Sequence, residues 1–134
     1  MNQVMYSKPW LNYRLHLLPI IRKTQSRNNH FFADEIDDAL LDERAFLFLA
    51  EDGFVVLQPT ARNGLSWLNV MFAFNWGGNA ITRYQSEIEL KGRQMGARGV
   101  ELFTAVPGLE QALLANGYVK TSGAARVQHW EKLL

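Results

Sequence analysis

Leu65-Ser66-Trp67-Leu68-Asn69-Val70-Met71-Phe72-Ala73-Phe74-Asn75-Trp76-Gly77-Gly78-Asn79-Ala80 is a long apolar and aromatic run that stops at a pair of glycines. Leu65 to Trp76 is dominated by aromatic and branched residues and reads as one long strand. The period then changes. Between Asn79 and Arg98, Ile81, Tyr84, Ile88 and Met95 recur at helical spacings, with Gly96 and Gly99 bracketing the end. The strand-to-helix junction therefore falls on Gly77-Gly78. Gly77, Gly78 and Ala80 carry little or no side chain, so a ligand can approach the backbone there. A helix starting near Asn79 aims unsatisfied N–H groups at the same space, and its dipole favours an anion. A diphosphate would suit such a corner. A glycine pair before a helix is also a common plain connection, so the loop alone leaves both readings open.

On the N-terminal side, Trp10 to Gln25 has a helical apolar stripe, Leu11, Leu15, Leu18 and Ile21, in which Pro19 predicts a kink or a break. Ser26-Arg27-Asn28-Asn29 predicts a turn, and Ala33 to Glu43 a second helix with an acidic first turn that suits its dipole. Arg44 to Gln58 reads as a β-hairpin around Glu51-Asp52-Gly53, on the expectation that Asp-Gly supplies positive φ. Both arms are apolar throughout, which predicts strands covered on both faces. Ala61-Arg62-Asn63-Gly64 predicts the next turn. On the C-terminal side, Val100 to Ala105 reads as a strand, and Pro107 to Asn116 as a helix stopped by Gly117. Tyr118–Val119 and Ala125–Leu133 read as closing strands. The whole predicts one α/β (mixed α+β) domain over residues 1–134, with a helical part at 1–43 and the sheet at 44–134. Helices should flank a mixed, mostly antiparallel sheet on both faces.

This order resembles the GNAT superfamily of acyl-CoA N-acyltransferases, most specifically from about Leu65 to Leu134. Asn75-Trp76-Gly77-Gly78-Asn79-Ala80 is similar to the family's Arg/Gln-x-x-Gly-x-Gly/Ala loop. Leu113-Leu114-Ala115-Asn116-Gly117-Tyr118 is similar to its helix-then-Gly-aromatic junction, and Val127 to Lys132 to its final strand. The family's first strand has only a weak counterpart near Tyr6. The resemblance implies acetyl-CoA as cofactor, held by Phe74, Asn75, Trp76, Gly77, Gly78, Asn79, Ala80 and Ile81, and an amine, small or peptide, as acceptor. It also shows departures. Asn75 replaces the loop's Arg/Gln. Leu113 stands where family enzymes often carry a proton-donating Tyr. The strand Leu65–Trp76 has no acid or histidine to act as base. Asn69 and Tyr118 are the remaining candidates for a catalytic role. The departures keep a second expectation alive, an inactive GNAT-like domain that serves as a binding or structural protein, as in phage or prophage proteins.

Composition bounds the rest. The 134 residues contain no cysteine, which excludes disulfides, thiolate metal sites and a cysteine nucleophile. The opening Met1 to Tyr6 lacks the basic start and apolar run of a secretory signal, so a cytoplasmic protein is expected. Net charge is +1, which gives no global reason to expect nucleic acid, and no window of about 18 consecutive apolar residues predicts a membrane span. Charge is nonetheless segregated. Lys8, Arg14, Arg22, Lys23 and Arg27 precede Asp34, Glu35, Asp37, Asp38, Asp42 and Glu43. Two mutually attracting helices explain this, as do a basic arm for an acidic protein partner and an acidic rim for a cationic amine. A homodimer is compatible with all three. His30 is a candidate to pair with Glu35, while His16 is expected to be structural or exposed and His129 to face solvent. No spacing suggests a metal site.

Overall fold

A computed structural model describes residues 4–28, 32–106, 108–122 and 127–134. The strands are β1 (Tyr6–Lys8), β2 (Phe46–Ala50), β3 (Gly53–Arg62), β4 (Leu65–Asn75), β5 (Gly99–Thr104), β6 (Val119–Ser122) and β7 (Gln128–Leu133). The helices are α1 (Trp10–Asn28), α2 (Ala33–Leu41), α3 (Ala80–Gln94) and α4 (Glu110–Ala115). Among the described residues the seven strands form one sheet, ordered β1-β2-β3-β4-β5-β7-β6. All its pairings are antiparallel except β4 with β5, joined by the α3 crossover.

Alternation along β3 divides the interior. Val55 and Leu57 point into a core built with Ile81, Tyr84 and Ile88 of α3, together with Leu113 and Tyr118. Phe54 and Val56 point into a second core with Trp10, Leu17 and Ile21 of α1 and Ile36 and Leu40 of α2. An all-apolar strand is thus explained by a layer of helices on each face, as its sequence predicts. The weak first strand near Tyr6 is real, paired antiparallel to β2 through Tyr6↔Leu49.

Three local expectations are corrected. Helix α1 runs unbroken through Pro19. Pro19 is on the exposed side of the helix, and the carbonyl that loses its N–H partner belongs to Leu15, also exposed, so water can replace the missing bond. The turn expected at Ser26-Arg27-Asn28-Asn29 is helical as far as Asn28. Gly53 does not supply a positive φ; it is the first residue of β3, paired with Ala50, and Glu51 and Asp52 make the turn. Of the closing strands, the part expected at Ala125 lies outside the described residues, as do Pro107 and His30.

The segregated charge of the N-terminal third joins α1 to α2. Arg14 donates to both carboxylate oxygens of Asp37 at 2.8 Å, Trp10 Nε1 donates to Asp37 Oδ1 at 2.8 Å, and Arg22 meets Asp34 at 3.2 Å. Asp37 is 6% exposed, and the Arg14 guanidinium holds its carboxyl below the usual carboxylate range. At the start of α2, the side-chain oxygen of Gln25 accepts from the amides of Phe32 and Ala33, both at 2.7 Å. This replaces the side-chain cap that Phe32 cannot provide.

Replacing Asp37 leaves the buried Trp10 N–H without an acceptor and Arg14 without its ion-pair partner. Asp37→Ala is expected to lower unfolding free energy by about 1–2 kcal/mol in urea titrations, chiefly through the buried Trp10 donor, because Arg14 can turn to water. Because the folded pKa of Asp37 lies below the unfolded one, its contribution is complete above about pH 4 and is lost as pH falls through the folded value. The variant should therefore show a shallower acid loss of stability than the parent.

Candidate functional site

β4 and β5 are paired only from Trp67↔Gly99 to Val70↔Leu102. Beyond that point β4 continues to Asn75 and β5 to Thr104 without pairing to each other, so the two strands diverge. The cause lies in β4. Its neighbour β3 pairs Leu57 with Val70 and Val56 with Phe72, which leaves Met71 as an extra residue. A bulge of this kind bends its strand and increases the local twist. It also exchanges the faces. Leu68 and Val70 belong to the α3-side core, whereas Phe72 belongs to the α1–α2 core, with Met71 and Phe74 packed against it.

The divergence opens a cavity of about 690 Å³ that reaches both faces of the sheet. On the α3 side it is lined by Val70, Ala73, Ala80, Ile81, Leu109 and Ala112. On the α1–α2 side its walls include Phe32, Ile36, Met71, Phe72 and Phe103. Aromatic rings continue along that wall. Phe72 lies 5.9 Å from Phe32, and Phe74 meets Trp76 edge to face at 5.2 Å. The Trp76 indole is 61% exposed and rests on Phe74, which belongs to the face opposite α3. Nothing, the indole included, lies within 4 Å of the position a Cβ would take on Gly78, just before α3.

The loop after β4 is held by its own residues. Trp76 N–H donates to the Asp52 carbonyl at 2.9 Å, Gly77 N–H to Asn75 Oδ1 at 2.7 Å, and Gly78 N–H to the Asn75 carbonyl at 2.9 Å. Asn75 Nδ2 donates in turn to the Tyr84 hydroxyl at 3.0 Å, and that hydroxyl donates to Asp52 Oδ1 at 2.7 Å. Arg83 pairs with the other oxygen of Asp52. The Asp52 carboxyl is held below its usual range, chiefly by the Tyr84 hydrogen bond, and burial raises the Tyr84 hydroxyl to about 12. A Cβ on Gly53 would overlap the Phe74 carbonyl oxygen and the Tyr84 hydroxyl, which is why β3 must begin with glycine.

Past the loop the donors are free. Asn79, at φ 66°, is the N-cap of α3 and makes no side-chain cap. The amides of Asn79, Ala80, Ile81 and Thr82 have no protein acceptor among the described residues, as the geometry of a helix start requires. Gly78 has φ +82°, and nothing lies within 4 Å of the position its Cβ would take. This corner fits an anionic group bound by backbone donors. The described lining contains no lysine or arginine, and its ionisable side chain is Glu35.

Of the residues singled out in the sequence, Phe74, Asn75, Trp76, Gly78, Asn79, Ala80 and Ile81 line the cavity, and Gly77 does not. The polar atoms of Asn75 are both engaged in holding the loop and Tyr84. Asn69 lines the cavity, with Nδ2 donating to Gln58 at 3.2 Å and Oδ1 buried without a partner. Tyr118 is buried in the α3-side core and is not part of the lining. Its hydroxyl donates to Gln85 at 2.9 Å, and desolvation raises its pKa. His129, expected to face solvent, is 13% exposed. Its Nε2 meets Glu101 at 2.9 Å and its Nδ1 meets Thr121. Antiparallel pairing of β5 with β7 sets His129 beside Phe103, which covers the ring. The sequence reading missed the Asp52–Tyr84–Asn75 network, since Tyr84 reads there only as one member of a helix stripe. Among the described residues no group of three histidines or carboxylates could hold a metal, and no helix is long and apolar enough to cross a membrane.

No protein-family profile matches the sequence, and no curated protein matches it. Solved structures do match in shape. An acetyltransferase of the GNAT family from Listeria monocytogenes 4b F2365 aligns with TM-score 0.68 and 12% identity, over 98% of this chain and 95% of that one. An acetyltransferase from Streptococcus agalactiae 2603 aligns with TM-score 0.67 and 12% identity, over 100% and 99%. A chain of the NatC complex bound to Gag peptide and CoA aligns with TM-score 0.60 and 12% identity, over 100% and 99%.

Tyr84→Phe removes the hydroxyl that joins Asp52 to Asn75. Amide hydrogen exchange at Trp76, Gly77 and Gly78 is expected to accelerate about tenfold, for loss of roughly 1.4 kcal/mol of local stability. The raised hydroxyl pKa also carries an alkaline signature. Its stabilisation is complete below about pH 10 and is lost as pH rises toward 12. The difference in unfolding free energy between parent and variant should therefore narrow over that interval.

Proposed function

We propose that this chain, which has the GNAT fold, is an N-acyltransferase that takes an acyl group from acetyl-CoA and passes it to an amine. The observation that carries this reading is the divergence of β4 from β5, which opens directly onto the unpaired amides at the start of α3. Those amides and the side-chain-free Gly78 receive the diphosphate. The unpaired edge of β4 from Met71 to Asn75 offers backbone donors and acceptors to an extended, amide-bearing ligand. When bound, the coenzyme supplies the thioester carbonyl that the amine attacks; a C–N bond forms, the C–S bond breaks, and the thiol leaves with a proton.

The protein's own share is mainly placement. β4 contributes no acid or histidine, and the Tyr118 hydroxyl is committed to Gln85. The ammonium proton therefore leaves to water, or to Glu35, through the open cavity. A positioned acid or base typically adds 10²–10⁴-fold in rate, so turnover is expected to be slow and to depend on proximity. The same observations favour a second reading, a binding protein on this fold that does not turn over. Steady acetylation of any amine rules it out.

Isothermal titration with acetyl-CoA tests the first reading, and absence of binding at millimolar coenzyme overturns it. Gly78→Asp places a carboxylate in the anion corner, at a φ that disfavours any side chain. It is expected to weaken coenzyme binding by about tenfold or more and, through the strain at φ +82°, to lower the thermal midpoint; Gly78→Asn, which carries similar strain without the charge, should weaken binding less.

A further inference from the structure

The α1–α2 side of the cavity has a composition of its own. Phe32, Phe72, Phe74 and Trp76 form one wall, and Phe103, 52% exposed, stands across from it on β5. Within this aromatic lining the charged side chain among the described residues is Glu35, on the first turn of α2. Of the other acids of α2, Asp34 pairs with Arg22 and Asp37 with Arg14, while Asp38 is exposed and lies outside the cavity lining. Glu35 has no hydrogen bond or ion pair to any described residue. Asn69 also lines the cavity, and its Oδ1 is buried without a hydrogen-bond partner.

We infer that the acceptor is a monoamine with an aromatic or bulky apolar body, its single ammonium group recognised by Glu35 and its body held between the β4 rings and Phe103. This rests on the acyl-transfer reading and narrows it to a substrate class. One cation finds one carboxylate and several ring faces, both of which favour it. A polyamine or an aminoglycoside would bring further cations into a lining that holds no second carboxylate, and each would lose water without a partner. An apolar amine body buries surface against Trp76 and Phe103, whose rings are otherwise exposed.

The test uses the full chain without coenzyme, with ¹⁵N amide shifts as readout and three probes: phenethylamine, spermidine and 2-phenylethanol. Phenethylamine is expected to perturb the amides of Met71 to Trp76 and of Glu35, and to bind more tightly than either other probe. Glu35→Gln should weaken phenethylamine about tenfold while leaving 2-phenylethanol unchanged. Phe103→Ala, at an exposed position, should weaken both aromatic probes and keep the fold. Tighter binding of spermidine, or an unchanged phenethylamine affinity in Glu35→Gln, overturns the assignment. A parallel titration with coenzyme A, read at Gly78 to Thr82, separates the two claims. Coenzyme binding without phenethylamine binding removes the acceptor class alone; phenethylamine binding without coenzyme binding removes acyl transfer and leaves an aromatic-amine site.

Discussion

One surplus residue in β4 governs the molecule. With Met71 inserted between Val70 and Phe72, the strand satisfies β3 along its whole length and yet parts from β5 halfway. The same insertion decides which side chains meet which helices. Leu68 and Val70 secure the α3 crossover; Phe72 and Phe74 turn to α1 and α2; Asn75 returns to the α3 side, where it reaches Tyr84. A regular strand would keep Val70, Phe72 and Phe74 on one face, would continue pairing with β5, and would leave no cavity between them.

Charge is arranged by the same economy of placement. The basic helix and the acidic helix attract one another through Arg14–Asp37 and Arg22–Asp34, so these four members of the segregated charge in the first third of the chain serve packing. Near the glycine loop, Asp52 would be an unfavourable neighbour for an anion were it not held by Tyr84 and faced by Arg83. The attraction for an anion then comes from backbone dipoles alone. It is short in range and depends on the ordering of a few peptide groups.

Much of this was legible in the residues. The change of period at Gly77-Gly78 located the strand, the helix and the loop between them. The all-apolar arms around Asp52 correctly implied helices on both faces. What escaped was non-local. Gly53 looks like a turn glycine, but its reason is the Tyr84 hydroxyl, which a hairpin pattern does not contain. Pro19 looks like a helix breaker, but its consequence depends on whether the Leu15 carbonyl faces water. The Met71 bulge has no mark of its own, since an extra residue is visible only once a partner strand supplies the register. His129 was misplaced because alternation on a last strand cannot say that Glu101 of β5 lies alongside. Asn75 and Tyr118 were readable as polar groups near a junction, and only packing shows both turned inward.

The bond from Gln25 to the amides of Phe32 and Ala33 makes the end of one helix the beginning of the next. Helix α2 consequently has no independent origin. Its first turn, which carries Glu35, is fastened to the last turn of α1. Displacing α2 at the aromatic side of the cavity therefore means either breaking these bonds or drawing α1 along, since Trp10 and Arg14 of α1 also hold α2 through Asp37.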